Sequence, residues 1–376
     1  MDSCDIVIVG AGPAGSACAW KLMRAGLDVA LLEKGRFPRD KVCGGWITPP
    51  VLEELEIDPR DYVGSGKIFQ PITGFRTSRM GDAEVETDYG KPVSYGIRRF
   101  EFDHYLAARS RARLIEGVAF GSLERLGDAW LVNNQLKARL VIGAGGHFCP
   151  VARHLGAKSG GEAIVAAQET EFEMDVRQQE ECSIRSEVPE LFFCPDMKGY
   201  GWAFRKGSFL NIGLGRLDRR HLSGHVSGFI SFLKSARKIP GDVTPSLSGH
   251  AYLLYGLGGR RLVTDGILLI GDAAGLAYWQ SGEGIRPAVE SGLMAAEAVV
   301  AARGDYGEGR LEQYRKMIAA HFGKSERDWA SSLAGLIPQS WIAAMARKLL
   351  ATRWFSRHVL LDHWFLHSHQ PALRAS

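Results

Sequence analysis

The sequence predicts an α/β fold in which a parallel sheet is interrupted by an antiparallel sheet and followed by helices. Ile6–Val9 is a short apolar run, as expected for a strand that is buried on both faces of a parallel sheet. Two comparable runs, at 138–146 and 266–274, lie far apart in the chain. Residues 166–255 between them contain alternating apolar and polar stretches, which are typical of antiparallel strands. The parallel sheet is therefore assembled from at least three separated segments.

A glycine-rich turn follows the first strand. Gly10, Gly12 and Gly15 form G-x-G-x-x-G, whose glycines allow a tight turn, close approach of a pyrophosphate and close packing of a helix. The helix predicted at 16–24 would offer unpaired N–H groups to a phosphate. Glu33 ends the next strand, where a carboxylate can accept both ribose hydroxyls and disfavours a 2′-phosphate. The unit predicts an FAD or NAD site rather than an NADP site; the alternative is a βαβ unit with a purely structural role.

Composition limits the classes of function. The chain has 376 residues, of which 45% are hydrophobic and 23% charged, with a formal net charge of +4. This is enough for one large or two ordinary domains, and the small, spread charge argues against nucleic acid binding. The six cysteines form no C-x-x-C pair and no metal-ligand spacing, so we expect reduced thiols, no metal site and a cytoplasmic location. Neither an apolar run of about 18 residues nor a signal-peptide pattern is present, so we expect no membrane span and no export.

These patterns divide the chain into three parts, of which two are discontinuous. The predicted parts are a Rossmann-like dinucleotide-binding domain at 1–66, 95–165 and 259–304, an antiparallel-sheet domain for the substrate at 67–94 and 166–258, and a C-terminal helical segment at 305–376. Within the first part, a hairpin at Gly127-Asp128 is expected to join strands at 112–121 and 129–132.

Four motifs carry a resemblance to a known family. They are the G-x-G-x-x-G unit with Glu33, PRDKVCGGW at 38–46, GDAAG…GEGI within 266–285, and GYGWAFRKGSFLNIGLG at 199–215. Together they resemble the geranylgeranyl reductase family, within the glutathione-reductase-type, p-hydroxybenzoate-hydroxylase-like FAD superfamily. The second and fourth motifs are the more specific ones. The resemblance covers most of 1–302 and implies an FAD-dependent oxidoreductase that reduces carbon–carbon double bonds of an isoprenoid chain.

The resemblance also implies a set of cofactor-binding residues. Asp272 would bind the ribityl chain or pyrophosphate, or serve only as a helix cap. Gly284 and Ile285 would lie under the isoalloxazine, where a helix start would stabilise negative charge on the reduced ring. Arg99 would contact the flavin, the alternative being a surface charge at the start of a helix. The complete predicted FAD set is Gly10, Gly12, Ala14, Gly15, Glu33, Lys34, Cys43, Gly44, Arg99, Asp272, Gly284 and Ile285.

Two further groups are candidates for catalysis and substrate binding. Cys43 is the candidate catalytic residue, as a proton donor or a group that shapes the site above the flavin. The alternative is a small buried residue that lets the loop pass close to the ring. Tyr200, Trp202 and Phe204 alternate with small residues, so they share one face of a strand. We expect them to line an apolar substrate tunnel, or alternatively to pack in the core.

The sequence departs from the family patterns at two places. Arg205 stands where the family has proline, and Gly145 and Cys149 replace the Asp and Ser of the flavin-hydroxylase motif. A flavin monooxygenase or halogenase is the alternative function, and the absence of W-x-W-x-I-P disfavours a halogenase. A non-catalytic lipid carrier on this fold is a third hypothesis. Because no second dinucleotide fingerprint is evident, the electron donor would be transiently bound NAD(P)H or a redox protein.

The C-terminal segment is both basic and aromatic. Residues 341–376 carry five Lys and Arg side chains against the single Asp362, and several tryptophans lie among them. A basic amphipathic helix with tryptophans suits an anionic membrane surface, which predicts peripheral membrane contact. Apolar residues nearly surround the helix, however, and this pattern equally predicts packing against the protein body. The sequence leaves the oligomeric state open.

Overall fold

The computed structural model describes residues 2–157, 164–218, 221–244, 246–256, 259–323 and 339–373, without the side chains of 339–343. The strands in chain order are β1 Asp2–Val9, β2 Val29–Glu33, β3 Trp46–Ile47, β4 Phe69–Ile72, β5 Gly74–Arg79, β6 Val85–Asp88, β7 Ser94–Ile97, β8 Arg113–Glu116, β9 Leu123–Leu126, β10 Ala129–Val132, β11 Leu136–Gly143, β12 Ile164–Glu173, β13 Glu190–Phe193, β14 Gly199–Lys206, β15 Phe209–Arg216, β16 Ser248–Leu253, β17 Val263–Thr264 and β18 Ile267–Leu269. The α-helices are α1 Pro13–Arg24, α2 Pro49–Glu54, α3 Pro59–Gly64, α4 Arg99–Arg109, α5 Pro150–His154, α6 Val176–Glu181, α7 Leu222–Ser235, α8 Ile285–Ala301, α9 Glu308–Phe322 and α10 Gln339–Leu350, with a 3₁₀ turn at Gly271–Ala273 and a π-helix at Phe355–Phe365.

The first sheet has the order β17-β18-β11-β1-β2-β8, and the hairpin β9–β10 is attached to β11. Its central strands β18, β11, β1, β2 and β8 run in parallel. Ile6, Val7 and Ile8 are completely buried, because helices cover both faces of the sheet. The chain reaches this sheet in separated segments, which confirms the predicted fold class.

The prediction of a hairpin strand at 112–121 is wrong. Residues 113–116 form β8, which pairs in parallel with β2 at the edge of the first sheet. The hairpin partner of β10 is β9, and Gly127 adopts a φ of 62° in the turn between them. A two-residue turn joins strands that begin immediately on either side of it, so the partner had to end at Leu126.

The second sheet has the order β16-β12-β15-β14-β13-β5-β6 and is antiparallel except for the pair β13–β5. Helix α7 covers one face, where Phe229 and Leu233 pack with Phe192 and Ile212. The other face contacts the loop that follows β2, through Glu169, Trp202 and Phe204. Across strands β12, β15 and β14 it presents rows of directly opposed residues, and such residues share a face.

The C-terminal segment covers the aromatic half of this second face. Leu360, Leu361 and Phe365 of the π-helix are buried against Trp202 and Phe204 of β14 in one apolar cluster. The ring of Phe365 also stacks on Trp46, with centroids 5.7 Å apart. The segment therefore packs against the protein body, which is one of the two predictions made for it. Among the described helices, none is long and apolar enough to cross a membrane.

A small third sheet, of order β3-β7-β4, lies beside the chain connection that runs from β2 to β3. Strand β4 pairs here with β7 rather than with the second sheet. The chain passes several times between the three sheets. The division into domains at the expected boundaries remains a prediction.

Helices α1 and α8 cross at a glycine. A Cβ added at Gly292 of α8 would collide with the carbonyl oxygen of Ala14 and lie 3.2 Å from the nitrogen of Cys18. The close approach brings the first turns of both helices to the same edge of the first sheet. The functional site described below depends on that arrangement.

We expect Gly292→Ala to lower the stability of the protein by about 1–3 kcal/mol, because the added methyl group overpacks the α1–α8 contact. Gly228→Ala in the exposed part of α7 is the matched control, since no atom of the described residues lies within 4 Å of the added Cβ. That control should raise stability by about 0.5–1 kcal/mol through helix propensity. Urea denaturation midpoints measure both, and equal effects of the two substitutions would contradict the close crossing.

Candidate functional site

The turn after β1 leaves open space at the start of α1. Gly10 has a φ of +111°, and a Cβ there would lie 2.5 Å from the carbonyl oxygen of Ala144, so only glycine fits. A Cβ at Gly15 would collide with the carbonyl of Gly10. At Gly12, by contrast, no atom of the described chain lies within 4 Å of an added Cβ, and no described side chain caps α1. The uncapped N–H groups therefore face a space that fits a phosphate.

Glu33 lies beside this turn at the carboxyl end of β2. Its Oε2 accepts hydrogen bonds from the N–H of Ala11 at 3.1 Å and from Nη2 of Arg39 at 3.0 Å, and its Oε1 accepts from the N–H of Gly35. The carboxylate is buried and oriented, with acceptor capacity remaining for ribose hydroxyls. Its sequence neighbour Lys34 is exposed.

A buried chain of charges continues from Glu33. Arg39 also bonds Asp103, which accepts two hydrogen bonds from Arg99 at 2.6 and 2.8 Å. Burial lowers the pKa of Arg99, but the charge and hydrogen bonds of Asp103 outweigh burial and raise it above the usual range. The reading of Arg99 as a surface charge is therefore wrong, because this side chain is buried at the start of α4.

The start of α8 forms the other end of the site. Gly284 precedes α8, which no described side chain caps, and a Cβ on Gly284 would lie 3.2 Å from Oδ1 of Asp272. Asp272 lies in the 3₁₀ turn after β18, with its Oδ2 3.5 Å from Nε2 of His250. Nζ of Lys41 contacts the same imidazole at 3.0 Å. Burial raises the pKa of Asp272. The hydrogen bond from His250 and the nearby positive charges outweigh burial and hold the pKa below its usual value, so the carboxylate stays ionised.

The loop 39–45 crosses from the first sheet to the second. The N–H of Cys43 donates to the carboxylate of Glu169 on β12, and the carbonyl of Cys43 accepts from Nδ2 of Asn211 on β15 at 3.2 Å. A Cβ on Gly44 would lie 3.3–3.4 Å from the rings of Phe204 and Trp202. The loop backbone is thus held between the cofactor-binding edge and the aromatic strand β14.

A polar cavity of about 650 Å³ opens beside this loop. Cys43, Arg99, Glu169, Glu171 and Asn211 are among its lining residues. Glu171 forms ion pairs with Lys206 at 2.6 Å and with Arg98 at 3.0 Å. Glu169 has no such partner among the described residues, and its Oε2 accepts no hydrogen bond from them. The two carboxylates therefore share a cavity but have different electrostatic surroundings.

The three aromatic residues of β14 share one face, as expected, and each has a different neighbour. Nε1 of Trp202 donates to Oδ1 of Asn211 at 2.7 Å, so the indole orients the amide that holds the Cys43 carbonyl. The hydroxyl of Tyr200 donates to the carbonyl of Ser281, next to the glycines before α8. Phe204 packs edge-on to Trp46. The aromatic face therefore forms a wall in direct contact with the cofactor-side loop.

The structure gathers most of the expected cofactor residues at one edge of the first sheet. Two of these residues have packing roles. Ala14 lies against Gly292 at the α1–α8 crossing and against Gly271, and Ile285 is buried with Ile47 and Phe102. Their assignment as FAD contacts remains a prediction, as does that of the remaining set. Sequence reasoning missed several site residues, namely Arg39, Lys41, Asp103, Glu169, Glu171, Lys206, Asn211 and His250. The signal that could have found two of them is the repeat Glu169, Glu171, Glu173, which places carboxylates on the inward face of a strand.

Comparisons with known proteins identify the family. A family model for FAD dependent oxidoreductases matches residues 5–81. The digeranylgeranylglycerophospholipid reductase of Methanocaldococcus jannaschii is 28% identical over 343 residues, which cover 84% of this chain and 82% of that protein. The menaquinone reductase of Mycobacterium tuberculosis is 34% identical over 321 residues, covering 79% and 76%. The chain belongs to the geranylgeranyl reductase family of FAD-dependent oxidoreductases.

Solved structures agree with this assignment at the level of the fold. A geranylgeranyl bacteriochlorophyll reductase-like protein of Thermoplasma acidophilum superposes with a TM-score of 0.77 at 23% identity, covering 96% of this chain and 93% of that one. Halogenases 19% and 16% identical to this chain share the fold as well. The relatives and the family model, rather than these structures, show that the protein is an FAD-dependent enzyme. The two uncapped helix starts, with Glu33 and Asp272 between them, fit that cofactor.

We expect Glu33→Gln to weaken FAD binding by about tenfold or more, because charge-assisted hydrogen bonds are worth ~1.5–3 kcal/mol each. The amide keeps the size of the side chain, so the fold should persist. Quenching of flavin fluorescence on titration of the apoprotein measures the dissociation constant. Glu116→Gln is the control, since Glu116 is the register neighbour of Glu33 on β8. A dissociation constant equal to that of the wild type in Glu33→Gln would refute the ribose assignment.

Proposed function

We propose that this enzyme reduces carbon–carbon double bonds in the isoprenoid chain of a lipid. The observation that carries the proposal is the contact of Gly44 with Trp202 and Phe204, next to the Cys43 backbone that faces the polar cavity. This contact puts an apolar aromatic wall one residue away from the cofactor-side loop. A long hydrocarbon that entered between this wall and the π-helix, which covers the wall here, would have its double bond presented at the loop.

The names of the relatives support a polyprenyl substrate. One relative is a menaquinone reductase and another is a digeranylgeranylglycerophospholipid reductase. These two lipids differ in their head groups, but each carries polyprenyl chains. An apolar wall recognises such a chain without regard to the head group, which is the property that both substrates share.

The residues of the site have separable roles in this reaction. The helix starts at Gly12 and Gly284, with Glu33 and Asp272, bind and orient FAD, which supplies the two electrons of the reduction. The buried ion pair with Asp103 holds the guanidinium of Arg99 at the cavity wall. The aromatic wall and the π-helix exclude water from the apolar side. NAD(P)H or a redox protein would reduce the flavin. The monooxygenase and halogenase alternatives share only the fold and have less support.

The substrate proposal predicts a defined product. Anaerobically reduced holoenzyme mixed with menaquinone or a geranylgeranyl lipid should return to the oxidised flavin spectrum, and the lipid should gain two hydrogens. With menaquinone, saturation of the side chain gives a mass increase that survives exposure to air, whereas ring reduction to the quinol reverses. Mass spectrometry distinguishes these results. Reoxidation that requires oxygen and yields an oxygenated or halogenated product would overturn the proposal in favour of the alternatives.

We further propose that the exposed side of the C-terminal segment contacts an anionic membrane. Met345, Leu349 and Trp354 are 55%, 38% and 68% exposed, although their neighbours Leu350 and Leu360 are buried. Lys348 and Arg353 are exposed beside them and form no ion pair within the described ranges. Exposed apolar side chains flanked by cations suit a lipid surface, from which a polyprenyl substrate must come.

Liposome sedimentation tests this surface without removing the segment, whose buried residues stabilise the second sheet. Leu349→Ser with Trp354→Ser should abolish sedimentation with anionic vesicles, and Lys348→Gln with Arg353→Gln should weaken it by ~1 kcal/mol per charge and reduce its salt dependence. Val176→Ser is the matched control, because Val176 is 73% exposed on α6. Vesicle binding that none of these changes affects would contradict the membrane-facing role.

A further inference from the structure

We infer that Glu169 is the residue that holds and donates the proton consumed when the substrate double bond is reduced. The inference rests on the proposed function, and no sequence motif pointed to this residue. It follows from the position of Glu169 between the cofactor-side loop and the aromatic wall, and from a carboxyl oxygen that is left without a partner.

The register of the second sheet puts Glu169 next to the aromatic wall. Glu169, Gly213 and Trp202 are directly opposed on β12, β15 and β14, so they share the inward face. A Cβ on Gly213 would collide with the Trp202 indole and lie 2.8 Å from the Cβ of Glu169. Glycine at this position therefore allows the indole and the carboxyl-bearing side chain to approach each other. A hydrocarbon chain on the wall would pass within reach of the carboxyl group.

The carboxyl group is buried, held at one oxygen and open at the other. Glu169 is only 5% exposed, and its Oε1 accepts the hydrogen bond from the N–H of Cys43. Its Oε2 is buried without a hydrogen-bond partner among the described residues, although the side chain lines the cavity. A buried carboxylate with an unpaired oxygen is costly, whereas a neutral carboxyl group is not. Burial accordingly raises the pKa of Glu169 to about 7, with a smaller contribution from the charge of Glu171, although the Cys43 N–H, the charge of Lys206 and the Asn211 amide lower it.

The neighbouring candidates are less suited to donate a proton. Burial raises the pKa of Glu171, but its ion pairs with Lys206 and Arg98 outweigh burial and keep it below the usual range, so Glu171 stays a carboxylate. The sulfur of Cys43 accepts from the N–H of Gly45 at 3.4 Å and lies beside the guanidinium of Arg99, so donors surround it. Two carboxylates in one cavity with pKa values shifted in opposite directions are a common basis of acid–base assignment.

The proton and electron balance of the step is complete with this donor. FAD, when bound and reduced, would supply a hydride. The π bond of the alkene would break, this hydride would form one new C–H bond and the proton of Glu169 the other, so that FAD would lose two electrons and Glu169 would become a carboxylate. Water then reprotonates it through the cavity, whose rim includes the exposed residues Asp242 and Thr244.

The pH dependence follows from the protonation state of Glu169. The donor is present below pH 7 and is lost as the pH rises through about 7, so lipid-dependent reoxidation should slow above that pH in the wild type. Several titratable or charged groups surround Glu169 and could shift this midpoint. They are Glu171 and Glu173 of the same strand, Lys206 of β14, Asp40, Lys41 and Cys43 of the loop, Arg98 and Arg99 at the start of α4, and Asp242 of the rim.

Half-reaction kinetics test the inference with Glu169→Gln, whose amide oxygen can still accept from Cys43. Anaerobic reoxidation by the lipid should slow by about 10²-fold or more and lose its decline near pH 7, while flavin reduction by dithionite stays unchanged. Glu169→Asp should keep the pH dependence at a lower rate. Glu124→Gln, an exposed residue of β9 that does not line the cavity, is the control and should match the wild type in both half-reactions.

A second readout does not depend on turnover. Infrared difference spectra of the purified holoprotein should show a carboxyl band that titrates near pH 7 in the wild type and is lost in Glu169→Gln. The bands of Glu54 and Glu283, whose pKa values burial raises to about 8, should remain in both proteins. Loss of both half-reactions together, or an unchanged rate and pH profile in Glu169→Gln, would overturn the inference and leave Glu169 as a support of the loop. If none of the polyprenyl lipids reoxidises the reduced wild-type enzyme, the proposed function fails, and the assignment of this proton to an alkene fails with it. If the lipid is reduced but the infrared band is missing, only the assignment of Glu169 fails.

Discussion

The site depends on one backbone segment that two side chains of another sheet hold in place. Glu169 and Asn211 bind the N–H and the carbonyl of Cys43, so the loop that leaves the nucleotide-binding sheet is fixed by the antiparallel sheet. Neither sheet alone could set the position of this loop. Because Asn211 is itself oriented by Trp202, the aromatic wall and the cofactor-side loop form one hydrogen-bonded unit. A change in the wall would therefore be transmitted to the loop through the Asn211 amide.

Buried charge is the main energetic constraint on this arrangement. Arg39 bridges Glu33 and Asp103, and Asp103 is completely buried between Arg39 and Arg99. Removing one member of such a chain would leave an uncompensated charge, which is more costly than the net value of the pairs. Glu169 differs from these residues, since it forms no ion pair with a described residue and is stable when neutral. The same physical rule thus produces a wall of paired charges and an unpaired proton donor beside one cavity.

The sequence predicted the local parts of the site well and the parts made between sheets poorly. Gly10, Gly15 and the buried strand β1 follow from a short contiguous pattern whose conformational demands are local. The hydrogen bond between Cys43 and Glu169 joins residues far apart in the chain, and only the pairing of β12 with β15 determines where that carboxyl group lies. The misplaced strand at 112–121 has a similar origin, because its alternation fits a hairpin and a sheet edge equally well. Arg99 could not be assigned as buried before its partner Asp103 was placed.

Hydrogen–deuterium exchange of the protein with and without FAD tests most directly whether the loop couples the two sheets. If the loop couples the two sheets, FAD slows exchange at 10–15 and 272–285. It also slows exchange at 41–45 and within β12, because the cofactor stabilises the loop that β12 holds. Protection confined to the nucleotide-binding turn and the start of α8, with unchanged exchange in the loop and in β12, would contradict it.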